Sequence, residues 1–514
     1  MTTLTPLSKN NPVTSPPATA ETSGISSAAA AAPGIAPLAT PASVVTLSVA
    51  GAQSVDGAPR APLVWERNNK DAVSALVARN YSYLPAASRF KNLGAALLER
   101  FKTDSSDFSQ SVQQSSQDAS TDTYDALLYA QLPPLHRVGD DQAGLTITTK
   151  SGVKVTLALD SSDNGVAVQV QSSGKLSDDE RAALAGLSAA FQQAIDGLAA
   201  VPPKIDLSGL TGFDASVLSS VDLRSQIKLN ETDTQRLEFH ADAKQRSVRF
   251  SGPIGEAKIS VDLSQPAAWG SKEQQAKALV NYLHQFDQAT WRGQGDAELA
   301  GVFKDAFSEM HSNYGPQPAA PQQRVKLEDQ DHAILTGLAD FSASITQTET
   351  SPNPLRPGEH DSFDYQASQS TSVQGRNQLD RSVAQQQQSQ LKASYHAPSK
   401  VDGILALTLD RASQNYNYVL VDDNASSNAA LAHEDGALSK ATLEQTASRS
   451  TRTIKYLLDK QIEDLTVPSS AAHTRDLLDM LAPKKKLDED ERRTTLDAAN
   501  QMIFLQPEPG ALPK

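Results

Sequence analysis

The order of secondary structure predicted for residues 145–198 is predicted again about 95 residues further along the chain, and this repetition most restricts the fold. In each stretch, short strands precede a helix. At that offset Leu184 aligns with Leu279, and Leu187 aligns with Tyr282. The shared positions are mainly apolar or Gly, which indicates that a packing arrangement was copied rather than a set of reacting groups. Any two hairpin-then-helix units resemble each other at this level of detail, so chance similarity is the alternative.

The first stretch contains a predicted β-hairpin around Asn164-Gly165, a dipeptide typical of tight turns. Apolar residues alternate with polar or small ones on both sides of this turn: Val153, Val155, Leu157 and Leu159, then Val166, Val168 and Val170. The same turn partly matches a calcium-binding EF-hand loop, whose first, third, fifth and sixth positions would be Asp160, Ser162, Asn164 and Gly165. The last position of such a loop requires a bidentate Glu, where this chain has Gln171. We therefore expect a hairpin rather than a calcium site.

A helix start is predicted after each set of strands. Ser177 and Glu180 form a capping box, in which two side chains accept hydrogen bonds from otherwise unpaired backbone N–H groups. Ser271 and Gln274 occupy the corresponding positions of the second stretch. The strands that precede Ser271 are predicted at 236–242, 247–250 and 258–263.

Outside these two stretches the sequence predicts mostly helix. One apolar stripe at helical spacing lies towards the N-terminus and comprises Phe90, Leu93, Leu97, Leu98 and Phe101. Towards the C-terminus, helices are predicted over 438–465, 475–481 and 488–504. The run Gln385-Gln-Gln-Gln388 lies in a polar tract that is predicted to be extended or disordered.

These patterns predict an α+β fold with duplicated antiparallel meander-plus-helices units, flanked by a helical N-terminal segment and an α-rich C-terminal region. The predicted divisions are a disordered leader at 1–60, a helical segment at 61–135, a first α+β unit at 136–230, a second α+β unit at 231–315, a linker with a short helix and strand at 316–400, and the α-rich region at 401–514.

The start of the chain is predicted to be disordered. Residues 1–42 are rich in Ser, Thr, Pro and Ala, and a segment of this composition buries too little apolar surface to offset its backbone entropy. Its prolines interrupt the apolar core that a secretory signal peptide needs. The segment resembles the unstructured, Ser/Thr-rich start of bacterial type III and flagellar export substrates, which also tend to lack cysteine. This resemblance implies export, and an ordinary flexible tail is the alternative.

Charge and cysteine content exclude several kinds of site. The 514-residue chain has a formal net charge of -14, which disfavours a nucleic-acid partner. Its short basic run, Lys484-Lys-Lys486, is followed at once by acidic residues. The absence of cysteine excludes disulfides, thiolate metal sites and a cysteine nucleophile. No uninterrupted run of about 18 apolar residues occurs, so no membrane span is expected.

Catalytic and metal-binding motifs are incomplete in the sequence. The nine histidines occur singly, and none lies in a His-Glu-x-x-His motif. His332 with Asp329 and Asp331 offers a small polar group, but its apolar neighbours favour an ordinary helix start. Ser172 and Lys175 match a serine–lysine nucleophile in spacing alone. The sequence therefore predicts no catalytic, cofactor-binding or metal-binding residues.

Two carboxylate pairs, Asp160 with Asp163 and Asp422 with Asp423, lie among predicted turn residues, where solvated acids are the simpler interpretation. We therefore expect a non-enzymatic bacterial interaction or structural protein, secreted or associated with the cell surface, that binds a protein partner. Two other functions stay open. One is a hydrolase whose groups meet only in the folded chain, and the other is a cytoplasmic regulator that binds partners through C-terminal helices.

Overall fold

One antiparallel sheet of 15 strands includes every named strand of the described part of the chain. The computed structural model describes residues 63–67, 70–83, 85–114, 136, 139–314, 325–400, 403–483 and 487–513. The predicted leader at 1–60 and the basic run at 484–486 lie outside these residues.

The strands lengthen markedly towards the C-terminus, from three residues in the first to 21 in the fourteenth. In chain order, β1 to β15 are Leu63–Trp65, Phe108–Gln114, Asp141–Thr149, Lys154–Ser162, Gly165–Ser172, Leu218–Lys228, Thr234–Asp242, Gln245–Gly252, Gly255–Asp262, Asp340–Gln347, Ser362–Gly375, Arg381–Pro398, Tyr416–Glu434, Ala437–Leu457 and Lys460–Asp476.

The α-helices lie in the connections between strands and after the last strand. In chain order, α1 to α10 are Ala72–Asn80, Leu93–Glu99, Asp178–Gly186, Ser188–Leu198, Ser208–Thr211, Lys272–Gly293, Ala297–Met310, Asp329–His332, Leu478–Leu481 and Glu489–Met502. The capping box of Ser177 and Glu180 is confirmed at the start of α3. No described helix combines the length and the apolar composition that crossing a bilayer requires.

The sheet order is β1-β2-β5-β4-β3-β6, and from β6 to β15 each strand pairs with the next one in the chain. The two stretches compared in the sequence both contain three strands and then helices, but they connect differently. After β5 the chain returns through α3 to α5 and places β6 beside β3. After β9 it passes through α6 to α8 and places β10 beside β9 itself.

The predicted α+β fold with helical flanks is therefore wrong. Both meanders belong to one continuous sheet, which also takes in β1 and β2 from the predicted helical segment and β10 to β12 from the predicted linker. The predicted helix over 438–465 is wrong as well, because these residues form most of β14, a turn and the start of β15. The prediction over 488–504 is confirmed by α10.

Burial alternates along nearly every strand, so the sheet has two unlike faces. On β7, for example, Leu237, Phe239 and Ala241 are buried, while Glu238 is exposed. Helices α6 and α7 pack on the buried face and close the main apolar core against the strands. We call this face the helix face and the opposite one the open face.

The long C-terminal strands bury polar side chains on the helix face, which is unusual for a sheet interior. Gln369, Gln387, Ser427 and Gln445 are direct neighbours across four strands, and each is at most 4% exposed. Ser427 Oγ and the Gln387 side-chain amide both donate to the carbonyl oxygen of Ile503, at 2.7 Å and 2.9 Å. This buried polar row therefore holds the C-terminal segment against the sheet.

We expect Gln387→Leu to destabilise the fold by about 2–4 kcal/mol, because it leaves buried polar groups without partners. The side-chain oxygen of Gln387 accepts from the Leu505 N–H at 3.3 Å, which would be orphaned, and from Tyr282 Oη at 3.2 Å, which would keep only Gln369 Oε1 as a partner. Gln386→Leu is the matched control, since that side chain is exposed on the open face and should change stability by about 0.5 kcal/mol or less. Chemical denaturation measures both variants. Equal destabilisation would refute the anchoring role of the buried row.

Candidate binding groove

The open face from β6 to β15 forms an uncovered groove with a volume of about 1350 Å³. Its lining comes from ten consecutive strands. At a strand spacing of about 4.8 Å, the groove extends for about 45 Å across the sheet. Helices α6 and α7 pack on the opposite face of the sheet and leave this surface open.

Over β10 to β15 the groove lining contains no charged side chain among its described residues. One row of direct cross-strand neighbours consists of Ser342, Ser368, Gln388, Ser426 and Thr446. The hydroxyl oxygens of Ser426 and Thr446 lie 2.7 Å apart. Since hydroxyls and amides each donate and accept, this part of the groove can satisfy either kind of ligand group.

Over β6 to β9 the groove is charged. Arg224, Glu238, Arg249 and Lys258 follow one another across the four strands, so cations flank the single acid in this row. Arg249 and Lys258 both contact Glu256, which neutralises part of their charge.

His240 lies in the charged part of the groove between two carboxylates. Its Nδ1 is 2.7 Å from Asp222 Oδ1, and its Nε2 is 3.4 Å from Asp242 Oδ2. Burial lowers the pKa of His240, but the hydrogen bonds to Asp222 and Asp242 outweigh this effect, so its pKa is raised. The two carboxylates therefore stabilise the charged form of this imidazole more than water does. Asp242 lies beside the ring nitrogen that a serine nucleophile would have to approach, so this arrangement differs from a catalytic triad.

A group formed by a histidine, a carboxylate and a hydroxyl lies outside the groove. His136 Nε2 is 2.7 Å from Glu66 Oε2 and 3.1 Å from Ser109 Oγ. In a triad the acid holds one ring nitrogen and the nucleophile meets the other. Here the same nitrogen contacts both groups, which is the geometry of a structural cluster.

The connection between β10 and β11, residues 348–361, covers the open face at the ends of β12 to β14. His396 Nδ1 is 2.6 Å from Asp361 Oδ1, and its Nε2 is 3.1 Å from Glu359 Oε2. Tyr416 Oη donates to the same Glu359 oxygen at 2.7 Å. Arg356 stacks 4.2 Å from the ring centroid of Tyr456. These contacts pin the connection to three strands.

We expect this attachment to weaken at alkaline pH. Burial lowers the pKa of His396, but the hydrogen bonds to Asp361 and Glu359 outweigh it and raise the pKa to about 9. Because the folded-state pKa lies above the unfolded value of about 6.5, the stabilisation is complete below pH ~6.5 and is lost as the pH rises through about 9. Over that window the free energy of unfolding should fall by about 2–3 kcal/mol, as measured by urea denaturation.

His396→Gln should flatten this pH dependence, because glutamine carries no titrating proton. His360→Gln is the control, since His360 belongs to the same connection but is exposed. An unchanged slope in His396→Gln would show that other groups produce the effect.

The structure places the predicted calcium loop in the β4–β5 hairpin, and the hairpin prediction is confirmed. Asp160 is buried within β4. Arg89 donates to the carbonyl oxygens of Ser162 and Asp163, the latter at 3.2 Å. The positive guanidinium of Arg89 thus lies beside the turn carbonyls and would repel a cation bound there.

The other residues considered in the sequence are not brought together into a site. Asp331 is buried in an ion pair with Arg381, with 2.9 Å between Oδ2 and Nη2, and this pair fixes α8 to β12. Ser172 Oγ donates to the carbonyl oxygen of Gly174, while Lys175 is exposed. Among the described residues, no group of three or more His, Asp or Glu side chains has the arrangement of a metal site.

Asp422 and Asp423 point to opposite faces of β13. Asp422 is exposed, whereas Asp423 forms a bidentate ion pair with Arg292 at 3.0 Å and 3.1 Å. Asp423 therefore ties the end of α6 to the sheet.

Sequence reasoning did not find the groove, although one local signal pointed towards it. Asp435 and Gly436, both with positive φ, form the tight turn between β13 and β14. Asp-Gly is a strong hairpin dipeptide, and it predicts strands in the region for which apolar spacing predicts a helix.

Comparisons with family models, curated proteins and solved structures gave no match.

Proposed function

We propose that this protein is a non-enzymatic binding protein that holds an extended, uncharged segment of a protein partner in the groove of the open face. The observation that carries this proposal is the neutral polar lining over β10 to β15. A surface of this length suits an elongated partner better than a compact metabolite, whose pocket would enclose it on most sides.

The chemistry of the lining favours a polypeptide with few charges. A charged segment would lose hydration over β10 to β15 without meeting an opposite charge. An apolar segment would leave the hydroxyls and amides of the lining without hydrogen bonds. Peptide groups and uncharged polar side chains supply both donors and acceptors, as the lining does. The groove presents no exposed Trp, Tyr or Phe among its lining residues for stacking against a sugar ring.

Selection of binders from a displayed library of random peptides tests this proposal. We expect enrichment of peptides rich in Ser, Thr, Asn, Gln and Gly, because they match the hydrogen-bonding groups of the lining. Ser368→Trp places an indole in the middle of the groove and should weaken the selected peptides at least tenfold, as measured by isothermal titration calorimetry.

Lys277→Trp is the control, since it places the same side chain on an exposed position of α6, away from the groove. Strongly charged binders, or binders that ignore Ser368→Trp, would reject the groove as a peptide site. Tight binding of a neutral polysaccharide with no peptide binder would assign the groove to glycans instead.

We also propose that the protein is exported from a bacterial cell. The support is the composition of residues 1–42, which resembles the start of type III and flagellar export substrates, together with the absence of cysteine. Binding at a cell surface or outside the cell agrees with a non-enzymatic role.

The full-length chain should appear in the culture supernatant of a bacterium with an active flagellar export apparatus, whereas a variant lacking residues 2–42 should stay in the cells. The physical reason is that such an apparatus engages an unfolded N-terminal segment. Immunoblotting of both fractions, with a cytoplasmic marker to control for lysis, measures the distribution. Retention of both chains inside the cells would reject export.

A further inference from the structure

The last strand of the sheet, β15, has an outer edge that pairs with no described strand. It is 17 residues long, and every side chain from Lys460 to Ser470 is exposed. The opposite edge of the sheet is β1, which has three residues. A long edge with free backbone N–H and C=O groups is a template for pairing with another strand.

Apolar side chains on β15 remain in solvent. Ile462, Leu465 and Val467 are 52%, 51% and 56% exposed. Exposed aliphatic residues along an unpaired edge are a liability that natural sheets usually avoid, unless the edge is an interface.

Counted inward from the two ends of β15, the charged residues have opposite signs. Glu463 and Asp464 lie in the first half, and His473 and Arg475 lie in the second half. Lys460 begins the strand and Asp476 ends it. When such a strand runs antiparallel to a copy of itself, Lys460 of each strand lies beside Asp476 of the other, and Glu463 lies beside the segment that holds Arg475.

We propose that β15 pairs antiparallel with β15 of a second copy of this chain, forming a two-fold dimer with one continuous sheet. A two-fold interface makes every favourable contact twice. In the register centred on Pro468, Lys460 lies opposite Asp476, Glu463 opposite His473, and Leu465 opposite Ala471. Each exposed Leu465 and Val467 is then covered by small side chains of the other copy.

The geometry favours a two-fold dimer over head-to-tail assembly of several copies. Pairing of β15 with β1 of another copy would use only the three residues of β1. Pro468 offers no N–H for the ladder, so the hydrogen bonds on either side of the two-fold axis must hold the strands together. In the centred register Lys460 lies opposite Asp476, whereas Arg475 lies opposite Gln461 and is a diagonal neighbour of Glu463.

Sedimentation velocity of the full-length chain tests the proposal. We expect a dimer at micromolar concentration, and hydrogen exchange of the β15 amides should slow as the dimer forms. Glu463→Lys replaces an acid with a cation diagonal to Arg475 of the other copy, at both ends of the two-fold interface, and should raise the dimer dissociation constant about tenfold. The double variant Glu463→Lys with Arg475→Glu should recover most of the loss.

Glu434→Lys is the matched control, because it makes the same charge change on an exposed position of β13. Val467→Lys provides a second test, since it brings two lysines together near the axis. The denaturation midpoint of each variant separates loss of dimer from loss of fold. A monomeric wild-type chain, or a dimer unaffected by both Glu463→Lys and Val467→Lys, would overturn the proposal.

Discussion

The structure depends on how side chains alternate along the fifteen strands of one sheet. In neighbouring strands the apolar side chains lie on the same face, and this face packs against the helices. Because side chains alternate strictly along a strand, a slip of one residue in any ladder would move apolar groups to the open face. The registers from β6 to β13 contain no irregularity, and the bulges in β14 pairings lie at the two ends of that strand. Burial of apolar side chains on the helix face therefore fixes which side chains the open face presents to solvent.

The polar composition of β11 to β15 has a different cause on each face. On the helix face, Gln387 and Gln445 bind backbone groups of the C-terminal segment and carry no free polar group into the core. On the open face, Gln386 and Gln388 meet solvent. One run of four glutamines thus serves two surfaces. Its low apolar content explains why the tract was expected to be extended or disordered, since only the tertiary contacts show which glutamines are buried.

Local signals predicted local structure well. The hairpin at Asn164-Gly165 and the capping box at Ser177 are encoded within a few residues, and both are confirmed. The error over 438–465 arose from apolar residues that happen to recur at helical spacing. Leu457 ends β14 and Leu458 lies in the turn to β15, where both are exposed. Their spacing reflects a strand, a turn and a second strand, and a helical periodicity within one window cannot separate these cases.

The groove could not be predicted, because no short segment encodes it. Its lining draws a few residues from each of ten strands, and Asp222 and Ala472 at its two limits are 250 positions apart. Each strand from β10 to β14 alone contributes serine, threonine or amide side chains to the lining at every second position, a pattern that also suits any solvated sheet. What distinguishes the groove is that the neutral positions fall in register over six neighbouring strands, while the charged ones fall together over four. That grouping follows from strand order and not from any motif, so a surface of this kind becomes visible only once the ladder is known.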